Sequence, residues 1–283
     1  MNNNSKNNNK NEERHATWLE LFYDLVFVVT ISQLSHYLFH DVSLSNFFGF
    51  LFLFIPVWWS WVGTAFFATR FYSDDIKHRL LLLLQMGGAG AMAVNISGAF
   101  SNTFSGFALS YAFMRFILVI EYVRVFRATT TKQITSKSII PNPLIKRYIV
   151  GFSIAAIIWL ISAFVPVAEE RFVLWVIGLI VDFATPITAG KLHSQFAPDI
   201  SHLPERMGLF TLIVLGEAIA GIITGMTDQV WNIYSVIVAS LGLCISFSLW
   251  WLYFDSAGRL PIQILREQGR ISLFSIWLFT HFP

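Results

Sequence analysis

Among the ionisable residues inside stretches that are otherwise apolar enough to cross a membrane, four are of particular interest: Asp24, Arg115, Asp182 and Glu217. A charge near the bilayer centre costs a few kcal/mol, so each should face the bundle interior, a partner or water. Carboxylates in such places carry protons or bind cations, and a nearby arginine stabilises their charged form. The four residues therefore indicate either an ion or proton path or ion pairs that fix helix packing.

A fifth ionisable residue, Glu20, lies four residues before Asp24, which places both carboxylates on one face of the same helix. One stripe of that helix must then face protein or water rather than lipid. The stripe could pair with Arg115, or with a base at the cytoplasmic end, and only lock the bundle. It could instead line an ion or proton path, although Glu20 is near the interface, where the ion-pair explanation is favoured.

Asp182 is followed one helical turn later by Pro186. Proline removes a backbone hydrogen bond and frees a carbonyl of the preceding turn. A broken helix beside an acid could form a cation site, whereas a simple kink near a helix end is the commoner outcome.

The composition predicts a membrane protein. Of the 283 residues 55% are hydrophobic and only 13% are charged, with a mean hydropathy of +0.60, whereas a soluble domain has about 25% charged residues. We therefore expect an all-α fold, a polytopic transmembrane helical bundle whose main partner is the lipid bilayer. The net charge of +2 gives no reason to expect a nucleic-acid partner. The sequence shows no catalytic constellation, metal cluster or cofactor motif, so an enzyme is the less favoured class.

Eight segments are complete candidate spans, since a span needs about 20 mostly apolar residues. A ninth begins near Ile271 and is cut short at Pro283, and Asp74 and Asp75 are expected to cap the third. The eight segments are residues 18–39, 46–69, 80–101, 107–126, 148–165, 172–189, 207–226 and 231–254.

The loops between these spans are alternately rich and poor in basic residues. All of the 19 Lys and Arg residues except Arg115 and Arg171 fall in the amino-terminal tail or in or beside every second loop. The positive-inside rule then places the amino terminus in the cytoplasm. The Asn-rich residues 1–14 have no apolar periodicity and are predicted to be disordered.

Several markers recur at a nearly constant offset, which favours an internal duplication. Trp58-Trp59 and Trp250-Trp251 are 192 residues apart, and Asp24 and Glu217 are 193 apart. Because six spans separate the copies, the repeat would be parallel, related by an axis along the membrane normal. We thus expect a first six-helix repeat over residues 15–190 and the start of a second, truncated one over 191–283.

Specific strings carry a family resemblance that runs over essentially all of the chain after the tail. The strings are TWLELFYDLVFV, WWSWVG, TRFYSDDIKHRLLLLLQM, HLPERMGLFTLIVLGEAI and WWLYFD. They resemble the low-temperature-requirement A family of bacterial membrane proteins. The resemblance implies a multi-pass protein of the bacterial inner (cell) membrane, connected by the family's name with growth in the cold.

Three functional hypotheses are open. The leading one is an ion or proton-coupled transporter or channel with a path between the first and seventh spans, lined by Asp24, Glu217, Asp182, Arg115 and Glu20. The second is a structural or cold-stress membrane protein whose buried charges only specify packing. The third is an intramembrane lipid-modifying enzyme. The substrate would be a cation or a proton in the first case, and the oligomeric state is open in all three.

Overall fold

Backbone polar groups in lipid must bond within their own segment, which favours helices throughout such an apolar chain. The computed structural model describes residues 17–71, 75–132, 142–189, 202–227 and 229–257. These ranges contain no strand, which confirms the all-α prediction. Their helices are α1 (Trp18–His40), α2 (Leu44–Arg70), α3 (Ile76–Asn95), α4 (Phe104–Lys132), α5 (Asn142–Ser162), α6 (Ala168–Ile187), α7 (His202–Thr227) and α8 (Ile233–Trp251), with a π-helical turn at Leu252–Ala257.

Six of these helices, α1, α2, α4, α5, α7 and α8, are long and apolar enough to cross a membrane, which supports a multi-pass membrane protein. The other two, α3 and α6, carry charged residues in or near their first turns, such as Lys77 and Glu169. The segments 80–101 and 172–189 therefore stay predictions as membrane spans, as does the full count of spans. The expected tail and the ninth span lie outside the described residues.

Short polar side chains fix where several helices begin. Thr17 and Glu20 form a reciprocal capping box at the start of α1, an arrangement that satisfies two backbone donors at a helix end. Asp75 accepts a hydrogen bond from the His78 N–H and caps α3, as expected of this acid. Asp74, the other predicted cap, lies outside the described residues.

Helix α2 occupies the centre of the bundle, and most of its residues from Leu53 to Thr69 are buried. Its aromatic rings pack against several neighbours: Trp59 stacks on Phe183 of α6 with centroids 4.1 Å apart, and Trp61 packs on Phe210 of α7 at 4.5 Å. Large aromatic surfaces of this kind dominate core energetics. The buried part of α2 therefore contacts both α6 and α7 through these rings.

Helices α1 and α7 run in the same direction. Near their first turns Asp24 contacts Arg206, and further along Phe39 lies against Gly221, where an added Cβ would fall 2.5 Å from the ring. Phe39 follows Asp24 by 15 residues and Gly221 follows Arg206 by 15. The same number of residues therefore separates the two contacts, in the same chain direction, on both helices, which is the pattern of parallel helices.

Helices α7 and α8 are packed far less closely than the rest. Their apolar windows are 11% and 6% buried, against 39–67% for the other four apolar helices. The predicted duplication would make Trp58-Trp59 equivalent to Trp250-Trp251, yet the first pair is buried and the second is exposed. The duplication thus stays a prediction. Among the described residues, the two tryptophan pairs that it would make equivalent differ in burial.

Basic residues gather at one end of the bundle, where α1 and α3 begin and α2 and α4 end. This basic end includes Arg70, which donates to the Tyr148 hydroxyl at 3.0 Å, and Arg124, which pairs with Asp75 at 2.6 Å. Lys146 lies over the Phe126 ring at the same end. The basic end provides a reference for the depth of every buried charge.

Candidate functional site: buried ion pairs around α2

The first buried pair joins α1 to α7. Arg206 Nη2 lies 2.5 Å from Asp24 Oδ1, and the Trp61 indole N–H donates to the same oxygen at 2.7 Å. Asp24 is 3% exposed and Arg206 is 1% exposed. Charge-assisted hydrogen bonds of this kind are about twice as strong as neutral ones. The pair therefore ties α7 to the bundle through a carboxylate that is almost removed from solvent.

The second buried pair joins α4 to α6. Arg115 Nε lies 2.8 Å from Asp182 Oδ2, and the Tyr111 hydroxyl forms a very short hydrogen bond to the same oxygen. Arg115 also donates to the Tyr111 hydroxyl from Nε at 3.0 Å and from Nη2 at 2.8 Å. Tyr111 stands one turn before Arg115, so both reach Asp182 from the same face of α4. The three side chains form one closed hydrogen-bonded unit.

Helix α2 separates these two pairs. At about 100° per residue, Trp59 and Gly63 lie on one face and Trp61 on nearly the opposite face. Trp61 bonds to Asp24, whereas the Trp59 indole adjoins Asp182 without reaching normal hydrogen-bond geometry. Each buried pair thus uses a tryptophan from a different face of the same helix.

Gly63 provides the space for Arg115, because a Cβ at this position would stand 2.6 Å from Arg115 Nη1. We expect Gly63→Ala to lower stability by about 1–3 kcal/mol, as overpacking of a core does, by displacing the guanidinium from Asp182. Gly90→Ala is the matched control, since nothing lies within 4 Å of its Cβ position. Thermal unfolding in detergent measures both, and equal midpoints for the two variants would refute the prediction.

A third pair lies closer to the basic end. His78 Nδ1 is 2.9 Å from Glu121 Oε1, joining the first turn of α3 to α4. Glu121 is fully buried and His78 is 5% exposed. The partly exposed Asp75–Arg124 pair lies nearby and connects this region with the surface of the basic end.

Several buried polar atoms in this part of the chain lack a hydrogen-bond partner among the described residues. An unsatisfied buried group costs about 1–3 kcal/mol, more when it is charged. These groups therefore either bind water or another ligand or exchange partners. The atoms are Asp24 Oδ2, Asp182 Oδ1, Glu121 Oε2, Arg206 Nε and the Tyr23 hydroxyl.

The structure places the five predicted path residues in three settings. Asp24 and Asp182 belong to the two deep pairs, and Arg115 pairs with Asp182 rather than with the Glu20 and Asp24 stripe. Glu20 takes part in the α1 capping box. Glu217 is half-buried on α7 and makes no ion pair with the described residues. The broken helix considered at Pro186 does not occur, because α6 continues to Ile187.

Arg206 is the main functional residue that sequence reasoning missed. The seventh span was expected to begin at residue 207, which left Arg206 in a loop, whereas α7 begins at His202. Counting only the apolar window excludes a charged residue that is helical and buried by a partner far along the chain. The string HLPERMG offers a signal, since proline followed by an acid is typical of a helix start.

Comparison with known proteins supports one family. The pattern of the bacterial low temperature requirement A protein matches residues 15–283. A protein of Rhizobium meliloti (strain 1021), described as uncharacterized, is 24% identical over 277 residues, which are 95% of this chain and 66% of the relative. The chain thus spans about two thirds of that relative's length. No solved structure matches the chain. With nearly its whole length matched, the chain belongs to the bacterial low temperature requirement A family of membrane proteins.

Proposed function

We propose that this chain is part of a proton- or cation-coupled transporter in the bacterial inner membrane, and that the Asp24–Arg206 pair is its exchangeable element. The observation that carries the proposal is the position of this pair, buried between α1 and the loosely packed α7. By the positive-inside rule the basic end faces the cytoplasm. This orientation also places the amino terminus in the cytoplasm.

Arg206 and a proton or cation compete for the same carboxylate, that of Asp24. A proton or a cation that binds Asp24 weakens its attraction to Arg206, and the ion pair is then free to separate. Ligands shift a conformational equilibrium only through different affinities for the two states. Here the states differ in whether Arg206 neutralises Asp24, so binding at Asp24 is coupled to the position of α7.

The unpartnered Asp24 Oδ2 and Arg206 Nε support this role, because neither group is fully satisfied in the paired state. Glu217 lies 11 residues further along α7 and provides a second carboxylate for the path. The parallel course of α1 and α7 is what a parallel duplication requires. These features favour a path along the α1–α7 contact.

Flux measurements on the purified full-length protein in liposomes test the proposal. We expect Asp24→Asn to lower proton-driven or cation flux roughly 100-fold, since it removes the titrating group. Glu217→Gln should also reduce flux, since it removes the second carboxylate of the path. Glu170→Gln, at an exposed acid outside the apolar windows, is the control and should keep the flux of the unmodified protein. Unchanged flux in Asp24→Asn would reject the proposal.

A structural role is the second candidate, favoured by the Tyr111–Arg115–Asp182 unit. That unit connects α4 to α6 through an ion pair and several hydrogen bonds, and such multiple bonding suits a fixed connection better than an exchangeable one. Absence of any ion or proton flux, together with a folded Asp24→Asn/Arg206→Gln protein, would extend the structural role to the whole chain.

A further inference from the structure

Tyr23 occupies a central position among the buried charges. Its side chain is fully buried on α1, directly before Asp24. Its hydroxyl adjoins Thr64 of α2 and lies close enough to Arg206, Asp24 and Glu121 to interact with them electrostatically. Arg115 is also within such reach of Tyr23. A phenol placed in this way is within electrostatic range of groups from all three ion pairs, and the Arg206 guanidinium carbon lies 5.9 Å from the centre of its ring.

The Tyr23 hydroxyl is not held by any of these neighbours in a bond of normal geometry. Buried polar groups are almost always bonded to protein or to ordered water. A gap of more than about 3.5 Å between polar groups is commonly bridged by a water molecule. Tyr23 is therefore suited to a water-bridged connection rather than to a fixed hydrogen bond.

The His78–Glu121 pair lies on the other side of Tyr23, toward the basic end. Glu121 Oε1 meets His78 Nδ1 at 2.9 Å, while Glu121 Oε2 has no partner among the described residues. His78 stands in the first turn of α3, next to the Asp75 cap, whose side chain is 43% exposed. This arrangement leads from a solvated helix end to a fully buried carboxylate.

We propose that His78, Glu121 and Tyr23 form a proton path from the basic end of the bundle to Asp24. The inference rests on the proposed function and names the proton as the coupling ion. Histidine, carboxyl and phenol groups each accept a proton and donate one, which a lysine or arginine does not do as readily. The order of groups along the path therefore suits protons better than a metal cation.

The proton balance is simple. His78 takes a proton from solution and passes the proton on Nδ1 to Glu121 Oε1. The carboxyl proton of Glu121 passes through water to the Tyr23 oxygen, while the Tyr23 hydroxyl proton passes through a second water to Asp24 Oδ2, since no direct hydrogen bond joins these two atoms. Tyr23 stays a neutral phenol, and Asp24 becomes a neutral acid that no longer attracts Arg206 as an ion. One proton is taken from solution and one carboxylate is neutralised.

Charged groups of several helices surround this path and set its direction. Arg124 and Asp75 face the His78–Glu121 end, and Arg206, Arg115 and Glu20 face the Tyr23–Asp24 end. Arg206, the ion-pair partner of Asp24, favours the charged form of that carboxyl at rest. A proton that reaches Asp24 therefore removes its ionic attraction to Arg206, and this loss links proton delivery to release of α7.

The test uses full-length protein in liposomes with a pH-sensitive dye. Tyr23→Phe and Glu121→Gln should each slow proton flux roughly 100-fold, since each removes a positioned proton carrier. His78→Gln should slow proton flux by a similar factor, since it removes the group that takes up the proton from solution. Tyr122→Phe is the matched control, because Tyr122 is an equally buried phenol next to Glu121 that packs on Phe67 and Tyr148.

A second measurement is independent of transport. After a pH step, infrared difference spectra should show the carboxylic C=O band of Asp24, absent in Asp24→Asn and slow to appear in Tyr23→Phe. If Tyr23→Phe does not fold, Thr64→Val is the substitute variant. It should delay the band, because Thr64 adjoins the Tyr23 hydroxyl. Normal flux and normal band kinetics in folded Tyr23→Phe and Glu121→Gln would overturn the path. The proposed function would still stand in that case if Asp24→Asn abolished flux, whereas no flux in any protein would overturn both.

Discussion

Arg115→Gln should destabilise the protein by about 3–5 kcal/mol, the usual cost of removing one partner of a buried ion pair. The variant leaves Asp182 as a fully buried carboxylate without a counter-charge. It also deprives the Tyr111 hydroxyl of two donors. Unfolding of the purified full-length protein in mixed detergent measures the loss as a lower midpoint.

A double-mutant cycle separates the pair from its surroundings. Arg115→Gln/Asp182→Asn replaces both charges with amides of similar shape and should recover most of the lost stability, because neutral partners leave no uncompensated charge. Arg147→Gln, at an exposed basic residue of α5, should leave the midpoint unchanged. Additive losses in the double variant would show that Arg115 and Asp182 are not coupled.

The sequence predicts that a charge in an apolar segment is compensated. Asp24, Arg115 and Asp182, selected one at a time from hydropathy, do lie in buried ion pairs, whereas Glu217 makes none with the described residues, and a role of these groups in a path stays a prediction. The same reasoning predicts the all-α fold, because lipid leaves a single-chain segment few alternatives to a helix. Both inferences depend on local composition, which is why they needed no knowledge of the tertiary structure.

The partners could not be predicted in this way. Asp24 pairs with a residue 182 positions away and Asp182 with one 67 positions away, and no local pattern connects such distant residues. Hydropathy alone leaves both Asp24 and Asp182 as possible partners of Arg115. The choice depends on packing: Gly63 makes room for Arg115 on the face of α2 that adjoins α6.

Helix ends were the other source of error. A window that counts apolar residues ends where the first charge appears, although a buried and paired arginine can continue the helix. This explains the late predicted start of α7 and the loss of Arg206 as a site residue. Helices α3 and α6 form regularly although neither contains a stretch that is both apolar enough and poor enough in charge to count among the six candidate spans.

Arg206→Gln should loosen the contact between α7 and α1, because the Asp24–Arg206 pair is a major polar link of a helix that is otherwise little buried. Cross-linking at the other end of the α1–α7 contact measures this loosening. In a Cys244→Ser background, Phe39→Cys and Gly221→Cys place two thiols where the Phe39 ring now meets Gly221. A short bis-maleimide should link them efficiently in the otherwise unmodified protein.

With Arg206→Gln added, we expect the cross-linked fraction to fall severalfold and the unfolding free energy to drop by about 3–5 kcal/mol, since Asp24 is left buried and unpaired. Adding Asp24→Asn to that variant should restore cross-linking, because two amides need no counter-charge. Restoration matters for mechanism: it would show that the charge of Asp24, and not the shape of Arg206, positions α7. A proton on Asp24 in the unmodified protein would leave the opposite charge, that of Arg206, uncompensated, whereas unchanged cross-linking in Arg206→Gln would mean that apolar packing alone holds the helix.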